Sequence, residues 1–95
     1  NPYLLLSAIL GSALAGIEDE MEPPAPITGN AYDLKLPGLM PDWESALERF
    51  ETDPLMARIF TPELIRNFAM TKRQEIRRLA EIPPEEHWLV YLETV

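Results

Sequence analysis

The 95 residues suffice for one small domain with a modest core. Sixteen Asp and Glu against eight Lys and Arg leave a net charge of −8, which repels phosphate backbones and excludes nucleic acid or an anionic membrane as the main partner. There is no Cys, so disulfides and thiolate metal sites are excluded too, and a cytoplasmic setting is the expectation.

In chain order, the first predicted element is a helix over residues 1–17. Asn1 is its N-cap and Pro2 its first helical residue, where a missing N–H costs nothing. Tyr3, Leu4, Leu5, Leu6, Ala8, Ile9, Leu10, Ala13 and Leu14 leave it no polar face, the pattern of a helix buried on every side. Each large aliphatic is worth roughly 1.5–3 kcal/mol when buried, so leaving half of them in water would consume most of a small domain's stability. The run is shorter than the roughly 20 residues that span a bilayer. Gly16 is placed to end the helix in the left-handed conformation, with Ile17 folding back. The chain opens on Asn-Pro rather than Met, with no basic residues ahead of the apolar run. A secretory leader is therefore not expected, and a piece cut from a longer polypeptide is.

Residues 18–41 read as a long connection. Glu18, Asp19, Glu20 and Glu22 lead into Pro23-Pro24-Ala25-Pro26, which favours extended geometry, and Gly29-Asn30 and Pro37-Gly38 mark turns. Asp42 caps a second helix with Trp43, Ala46, Leu47 and Phe50 on one face. Asp53-Pro54 starts a short third helix to about Ile59. Thr61-Pro62-Glu63 starts the fourth and longest, whose stripe is Leu64, Ile65, Phe68, Ile76 and Leu79. Pro83-Pro84 stops it, and a final helical turn or two covers Glu85 to Leu92. With no strand-period run, the fold class is all-α: four to five helices and one long Pro-rich connection, all within a single unit over residues 1–95.

No constellation of side chains adds up to an active site. His87 stands alone, with neither Cys nor a second His at metal-ligand spacing, and reads as a surface or packing residue. The acidic group at 18–22 lacks the ordered Gly-containing loop of a calcium site and reads as a solvated helix end. Lys72, Arg73, Arg77 and Arg78, with Arg66 a turn upstream, read as a solvated basic face. Ser7 and Ser12 have no partner base in their apolar helix.

Several stretches in order resemble the C-terminal part of a glutamine synthetase-type catalytic domain, possession of a polyamine-ligating member's features included. They are Asn1-Pro2-Tyr3-Leu4 opening a helix that closes at Ala15-Gly16-Ile17, Glu22-Pro23-Pro24-Ala25-Pro26, Gly29-Asn30-Ala31-Tyr32-Asp33-Leu34, and Tyr91-Leu92-Glu93-Thr94-Val95. The resemblance implies a larger α+β catalytic domain and a parent enzyme that joins glutamate to ammonia or an amine such as a polyamine, using ATP and Mg or Mn. In that family the γ-carboxylate is phosphorylated and the amine attacks the acyl phosphate. The family's metal-binding glutamates and substrate-binding arginines stand mainly upstream of its Asn-Pro-Tyr motif. This chain is thus expected to hold no catalytic, cofactor-binding or metal-binding residue and to be inactive alone, its partners being the rest of the parent domain and further copies in a dodecamer-like assembly. Tyr32 matches the tyrosine that some bacterial members adenylylate, although Ala31 and Lys35-Leu36 depart from the usual Asn-Leu-Tyr-Asp-Leu-Pro, and the alternative reading is a plain loop-packing tyrosine. The segment Tyr91 to Val95 resembles a tail that reaches into the facing ring of type I dodecamers, with Tyr91, Leu92 and Val95 as its apolar contacts, the competing reading being a tail packed on its own subunit. Set against this, the rival reading is a free-standing helical interaction module using the Trp43/Leu47/Phe50 or Leu64/Phe68 stripe.

Overall fold

The structure, a computed structural model, describes residues 1–92. Among these there are four α-helices and no strand: α1 (Pro2–Glu18), α2 (Trp43–Thr52), α3 (Pro54–Ile59) and α4 (Pro62–Ala80). Two 3-10 segments, Ala31–Asp33 and Pro84–Tyr91, complete the order. The all-α expectation and the proline-led helix starts are met.

Every α-helix begins on a side-chain cap. Asn1 Oδ1 accepts from the amides of Tyr3 (3.0 Å) and Leu4 (3.3 Å), Asp42 from Ser45 (2.8 Å), Asp53 from Leu55 (2.9 Å) and Thr61 from Leu64 (3.3 Å). Each satisfies a donor that the first helical turn cannot pair internally. The end of α1 corrects the expectation placed on Gly16. The helix continues to Glu18, and the left-handed residue is Glu20, with φ of 49°. Glu20 N–H donates to Ile17 O (3.1 Å) and Met21 N–H to Gly16 O (2.9 Å), the two bonds of a Schellman end. Gly16 stays helical because these bonds form one turn further on.

The core lies where α2, α3 and α4 meet. Leu47, Phe60, Ala69 and Leu79 are buried, Ala69 completely. Phe50 sits between Phe60 and Phe68, with ring centroids 5.9 and 5.1 Å away and tilted planes, an arrangement worth about 0.5–1.5 kcal/mol per pair beyond burial. Against this trio α1 packs chiefly on α3. A Cβ at Gly11 would lie 2.7 Å from Ile59 Cγ2, so only glycine permits this approach.

The whole is open. Its radius of gyration is 16.7 Å, against about 13 Å for a compact domain of this length. Residues 20–41 run exposed, relieved only by the turn at Gly29 (φ 94°) and the short Ala31–Asp33 segment.

Candidate functional site

The stripe of α1 facing α3 consists of Leu4, Ala8, Gly11, Ser12 and Ala15, residues that are half-buried or, for Ala15, buried. These recur at helical spacing and, Leu4 apart, are small, which brings the two backbones close. The large side chains point the other way: Leu5, Leu6, Ile9, Leu10, Leu14 and Ile17 are all more than half exposed, as is Tyr3. A continuous apolar face on a helix of 17 residues is therefore uncovered. Such a face marks an interaction site rather than a finished surface. Among the described residues no helix is long and apolar enough to cross a membrane.

A clamp holds the far end of α1. Arg58, in the last turn of α3, places Nη1 2.7 Å from Asp19 Oδ2 and Nη2 2.9 Å from Glu18 Oε2. The hydrogen bond from Arg58 holds the Asp19 carboxyl below its usual value. The same bonds, to Asp19 first and Glu18 second, raise Arg58. Two of the acidic residues read as a solvated helix end are thus engaged, though still exposed. The sequence offers no signal for this pairing, because the partners stand 39 and 40 residues apart.

The basic face of α4 is also more committed than its pattern suggests. Arg73 grips the Glu51 carboxylate on α2. Lys72 bonds to Glu75 at 2.8 Å and lies 5.9 and 5.6 Å from the ring centroids of Trp43 and Phe68, within cation–π range. Among the described residues no group of three or more His, Cys, Asp or Glu stands close enough to hold a metal ion.

Tyr32 projects from the Ala31–Asp33 segment and is 96% exposed. Asn30 caps that turn by accepting from the Tyr32 amide at 3.2 Å, so the phenol rests on a defined, if small, platform. Tyr91 and Leu92 are not brought together on one surface. Tyr91 is half-buried, its ring edge-on to Trp43 at 6.5 Å and 80°, whereas Leu92 is exposed, as are Trp88 and Leu89. Val95 lies outside the described residues. His87, read as a surface or packing residue, is half-buried with its Nε2 3.0 Å from Leu79 O and 2.9 Å from Ile82 O.

Comparison with known proteins places this arrangement. The chain is 35% identical over 100 residues to the glutamine synthetase of Aquifex aeolicus, a match covering 96% of this chain and 21% of that protein. It is 37% identical over 82 residues to the glutamate–isopropylamine ligase of a Pseudomonas species, covering 82% of this chain and 18% of that protein. With the gamma-glutamylethanolamide synthetase of Streptomyces coelicolor it shares 30% identity over 76 residues, 80% of this chain and 16% of the relative. The chain thus spans about a fifth of the length of the curated relatives it matches. No solved structure matches it. The family described as the glutamine synthetase catalytic domain matches residues 1–91, and the chain belongs to that family.

Proposed function

We propose that this chain is the helical, C-terminal portion of the catalytic domain of an ATP-dependent ligase that joins the γ-carboxylate of glutamate to ammonia or an amine, and that it is inactive by itself. The uncovered apolar face of α1 is the observation that supports this reading most directly. Its large aliphatic side chains need burial that the rest of the chain does not supply. The remainder of the catalytic domain is the natural cover, with α1 stiffening it from behind. In that parent, ATP donates the phosphoryl group and Mg or Mn neutralises its charge, through residues outside this chain. The amine stays open between ammonia and larger amines, as the names of the relatives include both kinds.

The test is an ATP-dependent γ-glutamyl transfer assay on the full-length parent and on residues 1–95, offered ammonia, ethanolamine, isopropylamine and putrescine in turn. The parent is expected to turn over one of them and the chain alone none. Turnover by residues 1–95, or a parent inactive with every amine, overturns the proposal. A free-standing interaction module, the rival, predicts a stable chain without self-association and no ligase activity in any longer form.

Two further roles belong to the same proposal. Tyr32 is offered as an adenylylation site, since its hydroxyl is accessible; its oxygen would attack the α-phosphorus of ATP, losing its proton as the α–β anhydride breaks and pyrophosphate leaves. Intact mass before and after phosphodiesterase treatment tests it, and an unchanged mass in nitrogen-replete cells sinks it. The segment from Tyr91 onward is offered as a contact between copies in a dodecamer-like assembly. Deleting residues 91–95 from the parent is expected to slow its sedimentation, and an unchanged profile removes that role.

A further inference from the structure

Pro83 and Pro84 stand three and four residues past Ala80, the last residue of α4, and lack amide hydrogens. The carbonyls of a helix's last turn have no intrahelical partners; here Glu81 N–H reaches Arg78 O at 3.3 Å, and past Ile82 the two prolines supply no further amide. Leu79 O receives one bond from the Ile82 amide (3.0 Å), and the next amide that turns back, Glu86 N–H, goes to Pro83 O (2.9 Å). Ile82 O and the second lone pair of Leu79 O are met by a single side-chain atom, His87 Nε2, at 2.9 and 3.0 Å. Both partners are acceptors, so Nε2 bears the hydrogen and shares it between them.

Four residues on, the Tyr91 ring rests edge-on against Trp43 at the start of α2. The segment Pro84–Tyr91 is thereby tied to the end of α4 and to the beginning of α2. Trp88 and Leu89 stand exposed between the ties, and Leu92 just past them. The histidine attachment is directional, because hydrogen bonds fall off steeply with angle, whereas the edge-on ring contact is less so.

We infer that His87 is a positioning residue: its Nε2–H clasps the carbonyls of Leu79 and Ile82 and so fixes where the exposed apolar triad Trp88, Leu89 and Leu92 stands relative to α2 and α4. This is independent of the ligase reading and of whatever the triad meets. A phenylalanine of similar ring shape would fill the space without fixing the segment, while a glutamine could restore the donor.

Amide hydrogen exchange on the full chain, comparing the parent sequence with His87→Phe and His87→Gln, tests the inference. His87→Phe is expected to raise exchange across residues 86–92 by about tenfold, on the scale of one lost hydrogen bond, while the middle of α4 is unchanged. His87→Gln is expected to recover most of the protection. Unchanged exchange in His87→Phe, an equal rise along the whole of α4, or a Gln variant no better than Phe each overturns the clasp. Nitrogen NMR of the unsubstituted chain gives a check that needs no variant. The imidazole should show its hydrogen on Nε2, and a neutral ring protonated only on Nδ1 also overturns it.

Discussion

α1 and α4 are nearly equal in length, 17 and 19 residues, yet they are completed in opposite ways. α4 turns Leu64, Phe68, Ala69, Ile76 and Leu79 toward its neighbours and keeps Arg66, Arg77 and Arg78 in water, with Arg73 on the Glu51 carboxylate of α2. Its apolar stripe is as wide as the neighbours that cover it. α1 spends its small residues on α3, its main neighbour, and leaves most of its large ones outside. A helix whose polar face is missing cannot be finished by one short partner, because α3 has only six residues. The contrast separates the helix that this chain covers by itself from the one that it leaves uncovered.

The same residue type should therefore have opposite value in the two regions. Leu47, only 7% exposed between α2 and α4, is expected to cost about 2–5 kcal/mol on replacement by alanine. Leu10, 68% exposed on α1, is expected to stay within about 0.5 kcal/mol. Urea unfolding measures both; the uncovered face of α1 is expected to make the chain self-associate, and sedimentation should show Leu10→Ala weakening that association instead. Equal losses would mean that α1's outer face is already buried and would remove the contrast.

The next effect is expected at the α1–α3 contact. Gly11→Val drives a side chain into Ile59, whose Cγ2 and Cγ1 lie 2.7 and 2.8 Å from the added Cβ. Overpacking of this kind costs about 1–3 kcal/mol. The loss should appear as faster amide exchange in α1 with α4 unaffected, and Ile59→Ala in the same chain should recover part of it. Smaller, and of opposite sign, is Glu20→Gly. A side chain in the left-handed region costs roughly 1–2 kcal/mol, so removing it should raise the helical content of α1 measured by circular dichroism. No gain would show that Glu20 is not left-handed in solution.

How much of this was legible in the sequence follows the range of the interactions. Asn1, Asp42, Asp53 and Thr61 act on amides two or three residues away, and the helix starts were read from them directly. The apolar pattern of 1–17 also gave away the need for cover, since an all-apolar face is a property of one segment. The end of α1 was misplaced because glycine permits a left-handed turn without requiring one, and the decisive bonds formed around Glu20. The Arg58 clamp and the His87 clasp escaped for a different reason. Each depends on where a turn or a long connection delivers its partner, and neither Arg nor His announces that by its spacing. For Tyr32 the motif named the residue and the structure added its exposure.

The smallest expected effect is a difference in how the two regions respond to acid. Asp42 is held below its ordinary value of 3.8 by the backbone amide of Ser45 and then by its hydroxyl, and Asp19 by the hydrogen bond from Arg58. A carboxyl whose folded value is depressed contributes stability that is complete above the unfolded value and is lost as pH falls through the folded one. Both contributions are therefore intact at neutral pH and decline below about 3.8. They differ in what they release: protonating Asp42 frays the first turn of α2, whereas protonating Asp19 loosens the grip of α3 on α1. Because the clamp is exposed, salt should weaken it as well. Arg58→Met is then expected to flatten the acid response of α1 chemical shifts and leave that of α2 in place. If α1 in the variant still follows acid as before, the Arg58 clamp does not hold it, and the glycine contact with Ile59 is its main attachment.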